Sequence, residues 1–228
     1  MMTKYIFLIH SPEQLGLPAF KSQVFDALLP RLLQFNPEKL KINLTEPASP
    51  RITVLPLKRT NLAMLSVWDS QSDRAKQWQS EIAVLGWRVT GYQVTESTPV
   101  AYSKDWKDGD VSPGMVMLTL MKKNSRLSQE KFMQEWFGHH TPMALRIHPL
   151  WNYIRNVVES VVVEGSTAFD GIVEEHVRKR RDITNPVRFF GGPLQVIPNM
   201  IRVGLHANKF LEISATENYL LTEYHIRS

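Results

Sequence analysis

The feature that most restricts what this chain can fold into is the order in which its apolar patterns change period, because that order occurs twice. Tyr5 to Ile9 is a short, almost wholly apolar run of the kind a buried strand makes. Pro18 suits a first helical position, and Phe20, Val24, Ala27, Leu28 and Leu32 then recur at helical spacing, with a kink or break expected at Pro30. Leu40, Ile42 and Leu44 alternate with Lys41, Asn43 and Thr45, which predicts a half-buried strand. Residues 47–60 are Pro-rich and read as a loop with an edge strand at Ile52–Leu55. Leu62 to Trp68 is a further strand. Ser72-Asp73 caps a helix whose core face is Ala75, Trp78, Ile82 and Leu85, Gly86 ends it, and Val89 to Val94 closes the set. The order is β-α-β-β-α-β, that of the ferredoxin-like motif.

After a polar stretch from Lys104 to Gly114, read as a linker, the order recurs. Met115 to Met121 is a buried strand, and a helix follows it. Trp151 to Val163 is a long strand with Asn152, Ile154, Asn156 and Val158 on one face and Trp151, Tyr153, Arg155 and Val157 on the other. Phe169, Gly171, Val173 and Val177 form one side of the next strand, and Asp170, Ile172, Glu174 and His176 the other. An irregular stretch, 178–198, precedes a helix from near Asn199 to Phe210, and Tyr219 to Arg227 is the last strand. The fold expected is α+β, with two tandem ferredoxin-like repeats at 1–104 and 114–228.

The helix of the second half is the most informative stretch. Ser128 is a good N-cap, and Leu127 and Phe132 have the spacing of a hydrophobic staple. Phe132, Met133, Trp136, Phe137 and His140 fall within one arc of roughly 140°. His140 therefore belongs to an apolar stripe. Thr141-Pro142 ends or kinks this helix, or starts a short second one.

The pattern Phe132-(x3)-Trp136-(x3)-His140-x-Pro142 resembles the helix signature of the EthD family, within the dimeric α/β-barrel (ferredoxin-like) superfamily. Phe169-Asp170-Gly171-Ile172 and Phe210-Leu211-Glu212-Ile213 are similar to family features at the third and last strands, so the resemblance spans about 114–228. Phe137 stands where the family commonly has Arg, and the histidine is doubled as His139-His140. The first half carries no such pattern, so it is expected to be structural. The resemblance implies that the two halves pack as an intrachain dimeric α/β barrel. It implies an activity on a small cyclic or aromatic oxygenated compound, of dehydratase, isomerase or cofactor-free oxygenase type. The other class left open is a non-catalytic ligand-binding or accessory protein.

Alternation places Glu174, His176, Glu223 and His225 on the inner wall of such a barrel. The candidate catalytic residues are His140 and His176, whose rings titrate near neutrality. The candidate substrate contacts are Trp136, His139, Tyr153, Glu174 and His225, with a pocket expected between the helix carrying His140 and the inner face of the sheet. The competing reading is a core histidine bonded to a backbone carbonyl and a salt bridge across neighbouring strands. The ligand types would suit a metal, yet no H-E-x-x-H spacing accompanies them, so no metal is expected, and no cofactor or haem. Arg178-Lys179-Arg180-Arg181 is the one local basic cluster, a solvated loop or a lid for an anionic group.

Composition narrows the rest. The 228 residues carry 43% hydrophobic and 21% charged side chains and no cysteine, which excludes disulfides and thiolate metal sites. The net charge of +5 is spread as 12 basic against 9 acidic residues up to Asp105 and 15 against 13 beyond, with no basic arm that would suit nucleic acid. No apolar run approaches the roughly 20 residues of a membrane span. The expected partner is a small molecule, with no nucleic acid and no membrane. The expected setting is cytoplasmic, as a monomer with a pseudo-twofold axis or a homodimer.

Overall fold

The structure is a computed structural model and describes residues 2–45, 56–71 and 74–228. The edge strand expected at Ile52–Leu55 and the cap at Ser72-Asp73 lie outside the described residues. Among the described residues, eight strands run as β1 (Thr3–His10), β2 (Lys39–Thr45), β3 (Leu62–Asp69), β4 (Arg88–Val100), β5 (Met115–Met121), β6 (Leu150–Val161), β7 (Gly171–Val177) and β8 (Glu217–Arg227). They close into one barrel in the order β1-β3-β2-β8-β5-β7-β6-β4, and every neighbouring pair is antiparallel. The first four strands form the arc β4-β1-β3-β2 and the last four the arc β8-β5-β7-β6. The arcs join where β2 pairs with β8 and β4 with β6. Closure leaves no edge strand open among the described residues.

Closure also decides where each face of a strand goes. Ile6, Leu8, Met64, Tyr92, Val116, Leu118, Ile172, Tyr219 and Leu221 meet in the lumen as one apolar plug. The alternate residues face outward under helices. In the first half α1 (Leu17–Ser22), a π-helical turn (Gln23–Leu28), α2 (Leu29–Leu33) and, further on, α3 (Ala75–Ala83) cover Tyr5, Phe7, Ile42 and Leu65. Pro30 does not break the run. It occupies the first turn of α2, directly after the π-helical turn, whose wider ladder accommodates a residue without an N–H.

In the second half α4 (Gln129–Met133), a π-helical segment (Gln134–His140) and α5 (Thr141–Ile147) follow one another without interruption. Ser128 Oγ accepts the Lys131 N–H at 3.1 Å, the cap its position demands. Pro142 falls in the first turn of α5, so the helix carries on past His140. The short α6 (Arg180–Thr184) and α7 (Pro186–Phe189) precede α8 (Val196–Phe210), which begins three residues before Asn199. Phe132, Trp136, Tyr153, Val173 and Phe210 form the core between these helices and the sheet. No helix among the described residues is long and apolar enough to cross a membrane.

Two details depart from the sequence reading. Phe169 joins the luminal cluster instead of the helix-covered side, because regular strand begins only at Gly171 and the alternation does not extend back past it. The segment read as a linker folds against β8, with Gly109 N–H donating to His225 O and Ser112 N–H to Glu223 O.

Gly171 is required by close packing. A Cβ there would stand 2.6 Å from Trp136 Cη2 and 2.7 Å from Met121 Cε. Gly171→Ala is expected to destabilise the protein by about 1–3 kcal/mol through overpacking, read as a lower urea midpoint at unchanged slope. An unchanged midpoint would show that the Trp136 ring is free to shift.

Candidate functional site

The strand wall divides the titratable residues of the second half into two compartments. On the outer side, beneath α5, α7 and α8, lies a cavity of about 140 Å³ whose lining includes Met117, His140, His148, Glu175, Phe189 and Phe190. Met117 and Tyr153 flank Glu175 on the neighbouring strands. The Glu175 residue is 8% exposed, and no hydrogen bond or ion pair from a described residue reaches its carboxyl group. Burial alone pushes its pKa up to about 7.

Two imidazoles share this cavity. His148 Nδ1 lies 2.9 Å from Phe189 O, which can only accept, so Nδ1 carries the proton and Nε2 is left as an acceptor. Burial lowers the His148 pKa to about 4, against that hydrogen bond. His140 Nδ1 is 3.2 Å from His206 Nδ1, so one of the two nitrogens donates to the other. Burial, then the nearby His206 and His148, lower the His140 pKa to about 3. Both rings are neutral at physiological pH. They contribute oriented hydrogen bonds, and the charge that changes near neutrality belongs to Glu175.

The two imidazoles make stability depend on pH. Their folded pKa values lie below 6.5, so between about 3 and 6.5 these two rings bind more protons in the unfolded chain. Their contribution to stability is complete above pH 6.5 and is lost as pH falls from there toward about 3–4. Urea midpoints measured between pH 7 and pH 4 are expected to fall, and His148→Gln is expected to flatten that fall. An equally steep fall in the variant would show that His148 titrates normally.

The inner compartment is one polar end of the lumen. Glu174 is fully buried, and Lys41 Nζ lies 2.6 Å from its Oε2 and 3.0 Å from Glu223 Oε2. Lys4 Nζ bonds Asn156 Oδ1 at 2.7 Å and Glu96 Oε2 at 2.5 Å, and lies 3.5 Å from Glu174 Oε1. His176 Nδ1 stands 3.7 Å from Glu223 Oε2, while its Nε2 has no hydrogen-bond partner among the described residues. Tyr102 Oη is 2.7 Å from both Glu223 Oε1 and His225 Nε2. Burial raises the Glu174 and Glu223 carboxyls, but their neighbours outweigh it: Lys41 and Lys4 hold Glu174 at about 2, and Lys41 with His176 and His225 holds Glu223 well below its usual range. An opening of about 240 Å³, lined by Trp68, Tyr102, Lys104, Asn152 and Arg227 among others, leads to this end.

Glu174, His176, Glu223 and His225 do come together on the inner wall, joined by Lys4, Lys41 and Tyr102. The pocket expected between the His140 helix and the inner face lies instead against the outer face, because the helices cover that face and the wall stands between. His140 and His176 consequently occupy different compartments and cannot touch one substrate. Trp136 and Tyr153 are packed in the outer core and do not line the cavity. His139 is on the solvent side, 3.3 Å from Glu135. Arg188, beyond the basic cluster, pairs with Asp182, and the Arg178 guanidinium lies over the Trp151 ring. Glu175, absent from the sequence reading, had a signal: it interrupts the otherwise apolar face Gly171, Val173, Val177.

A closed antiparallel barrel with its helices outside defines the dimeric α/β-barrel fold, and solved structures agree. An anthrone oxidase-like protein superposes with a TM-score of 0.64 at 6% identity, over 99% of this chain and 94% of that one. A monooxygenase-like protein from Fusobacterium nucleatum gives 0.52 at 5% identity, over 99% and 93%. A chlorite dismutase-like protein gives 0.53 at 10% identity, over 98% and 95%. At identities this low, the superpositions show a shared fold alone. No protein-family model matches the chain, and no curated protein matches its sequence.

Proposed function

We propose that this chain is an EthD-like protein that acts on a small cyclic oxygenated compound by proton transfer in the cavity beneath α8. The observation that carries this is Glu175: a buried carboxyl without a described partner, poised at about 7 beside two neutral imidazoles. An acid–base group is most effective when its pKa lies near the working pH. As carboxylate, Glu175 takes a proton from a carbon or hydroxyl next to a carbonyl. As carboxylic acid, it returns the proton to another atom of the same substrate. His140 and the acceptor nitrogen of His148 orient the substrate's oxygens. Roughly 150 Å³ accommodates a benzene-sized molecule, so the cavity suits a single ring. The acid–base role expected of His140 and His176 thus passes to Glu175, and His140 orients the substrate.

The two arcs β4-β1-β3-β2 and β8-β5-β7-β6 place first, second, third and fourth strands alike, which supports reading them as tandem ferredoxin-like repeats. Closure within one chain means a monomer suffices for the barrel.

The test is a panel of single-ring ketones and phenols in D₂O, with C–H exchange and line broadening followed by NMR. Exchange that disappears in Glu175→Gln while broadening persists supports the enzyme. Broadening without exchange would favour the accessory, ligand-binding reading. No broadening with any compound would overturn both.

A further inference from the structure

We propose that Glu135, His139 and His206 form a surface site for one divalent transition-metal ion of the zinc type, bridging the π-helical segment and α8. Glu135 and His139 are one helical turn apart and face the same way, and His206 comes from the facing helix. Glu135 Oε2 lies 3.3 Å from His139 Nδ1 and 3.4 Å from His206 Nε2. The three ligand atoms all lie within 4.8 Å of one another. Those separations are long for charge-assisted hydrogen bonds, which run at about 2.7–2.9 Å. They match the edge of a tetrahedron: with metal–ligand bonds of about 2.0–2.1 Å, neighbouring donor atoms stand about 3.3–3.4 Å apart.

Two imidazoles and one carboxylate select zinc-type ions over magnesium or calcium, which prefer all-oxygen surroundings. His139 is solvent-exposed, so water completes the coordination. Lys131 holds the other carboxylate oxygen, Oε1, at 3.2 Å, which fixes the carboxylate and leaves Oε2 for the ion.

The luminal trio Glu174, His176 and Glu223 passes the same distance criterion but fails on charge. Lys41 Nζ already sits 2.6 Å and 3.0 Å from its two carboxylates, with Lys4 at 3.5 Å, so the cation's seat is taken. At the surface trio Lys131 pairs with Glu135 Oε1 and not with the Oε2 offered to the ion.

Occupancy would reach inward. With His206 Nε2 on the metal, its Nδ1 keeps a proton and donates to His140 Nδ1, 3.2 Å away. That fixes His140 with its own proton on Nε2 and ties α8 to the helix across from it.

Tag-free, chelator-treated protein titrated calorimetrically with Zn²⁺ and Co²⁺ is expected to bind one ion with a Kd on the order of 1–10 μM, with Mg²⁺ not competing. Glu135→Gln and His206→Ala should each weaken binding at least about tenfold. His139→Ala, at an exposed position that folding does not need, should do the same. Histidine ring NMR should show His140 in a single tautomer only with metal present. Absence of binding to the wild type at 100-fold higher Zn²⁺, or binding that survives in the His139→Ala/His206→Ala pair, would overturn the site. No substrate enters these measurements, so their outcome is independent of the proton-transfer reading.

Discussion

Replacing Lys41 with Met is expected to cost about 3–5 kcal/mol of stability, a large effect for one substitution. The reason is what it leaves behind. Lys41 is 3% exposed and stands between two carboxylates that are themselves buried. Burial alone would lower its pKa, yet Glu174 and Glu223 outweigh that and hold it above the ordinary lysine range. Without Lys41, both carboxylates lose their closest counter-charge among the described residues, and Lys4, 3.5 Å from Glu174, remains. The pH dependence should change with it. In the wild type, Glu174 at about 2 contributes stability that is present above 4.5 and lost as pH falls toward 2. In Lys41→Met the carboxylates are pushed upward, and stability is lost as pH rises instead. Adding Glu174→Gln and Glu223→Gln should recover much of the loss, since neutral amides need no counter-ion. A urea midpoint within error of wild type for the single variant would show that solvent, not Lys41, compensates these charges.

Glu175→Gln is expected to lower turnover by about 10²–10⁴ while raising stability at alkaline pH. Both effects come from one cause. The folded pKa is near 7 against a reference of 4.5, a difference that corresponds to roughly 3 kcal/mol once the group is ionised. The group raised in the folded state contributes its full stability below pH 4.5, and that stability is lost as pH rises through 7. The amide of the variant cannot ionise, so Glu175→Gln should match wild type near pH 4.5 and exceed it by up to about 3 kcal/mol at pH 8. Equal stability at both pH values would mean that Glu175 finds a counter-charge or water when ionised, and the acid–base role would lose its basis.

Much of the fold was readable because strands announce themselves by period. Leu40, Ile42 and Leu44 gave β2, and Tyr219 to Arg227 gave β8, within two residues of their ends. The inner-wall assignment of Glu174, His176, Glu223 and His225 followed from the same alternation. The limits have a physical origin too. Alternation separates two faces but does not say which is wet. Lys41 and Asn43 look like a solvent face, and closure of the barrel turned that face into the lumen. Glu175 is marked in the sequence only as the one charged residue interrupting the apolar face of β7, and alternation alone does not distinguish such an interruption from a solvated edge. His140 was legible as a residue set in an apolar stripe, but the side of the wall it faces depends on which face the helices cover.

The position of β8 bears on how the chain reaches this state. It pairs with β2 on one side and β5 on the other, so residues near 40 wait for partners near 225. During synthesis, β2 emerges long before that partner exists. Until then its outer backbone groups, and those of β5, are open to any extended segment that passes. Contacts so distant in sequence slow folding, because a large loop must close before they form. The nascent chain is thus most prone to aggregate just before its last described strand arrives, and slower translation over that strand would prolong the exposure.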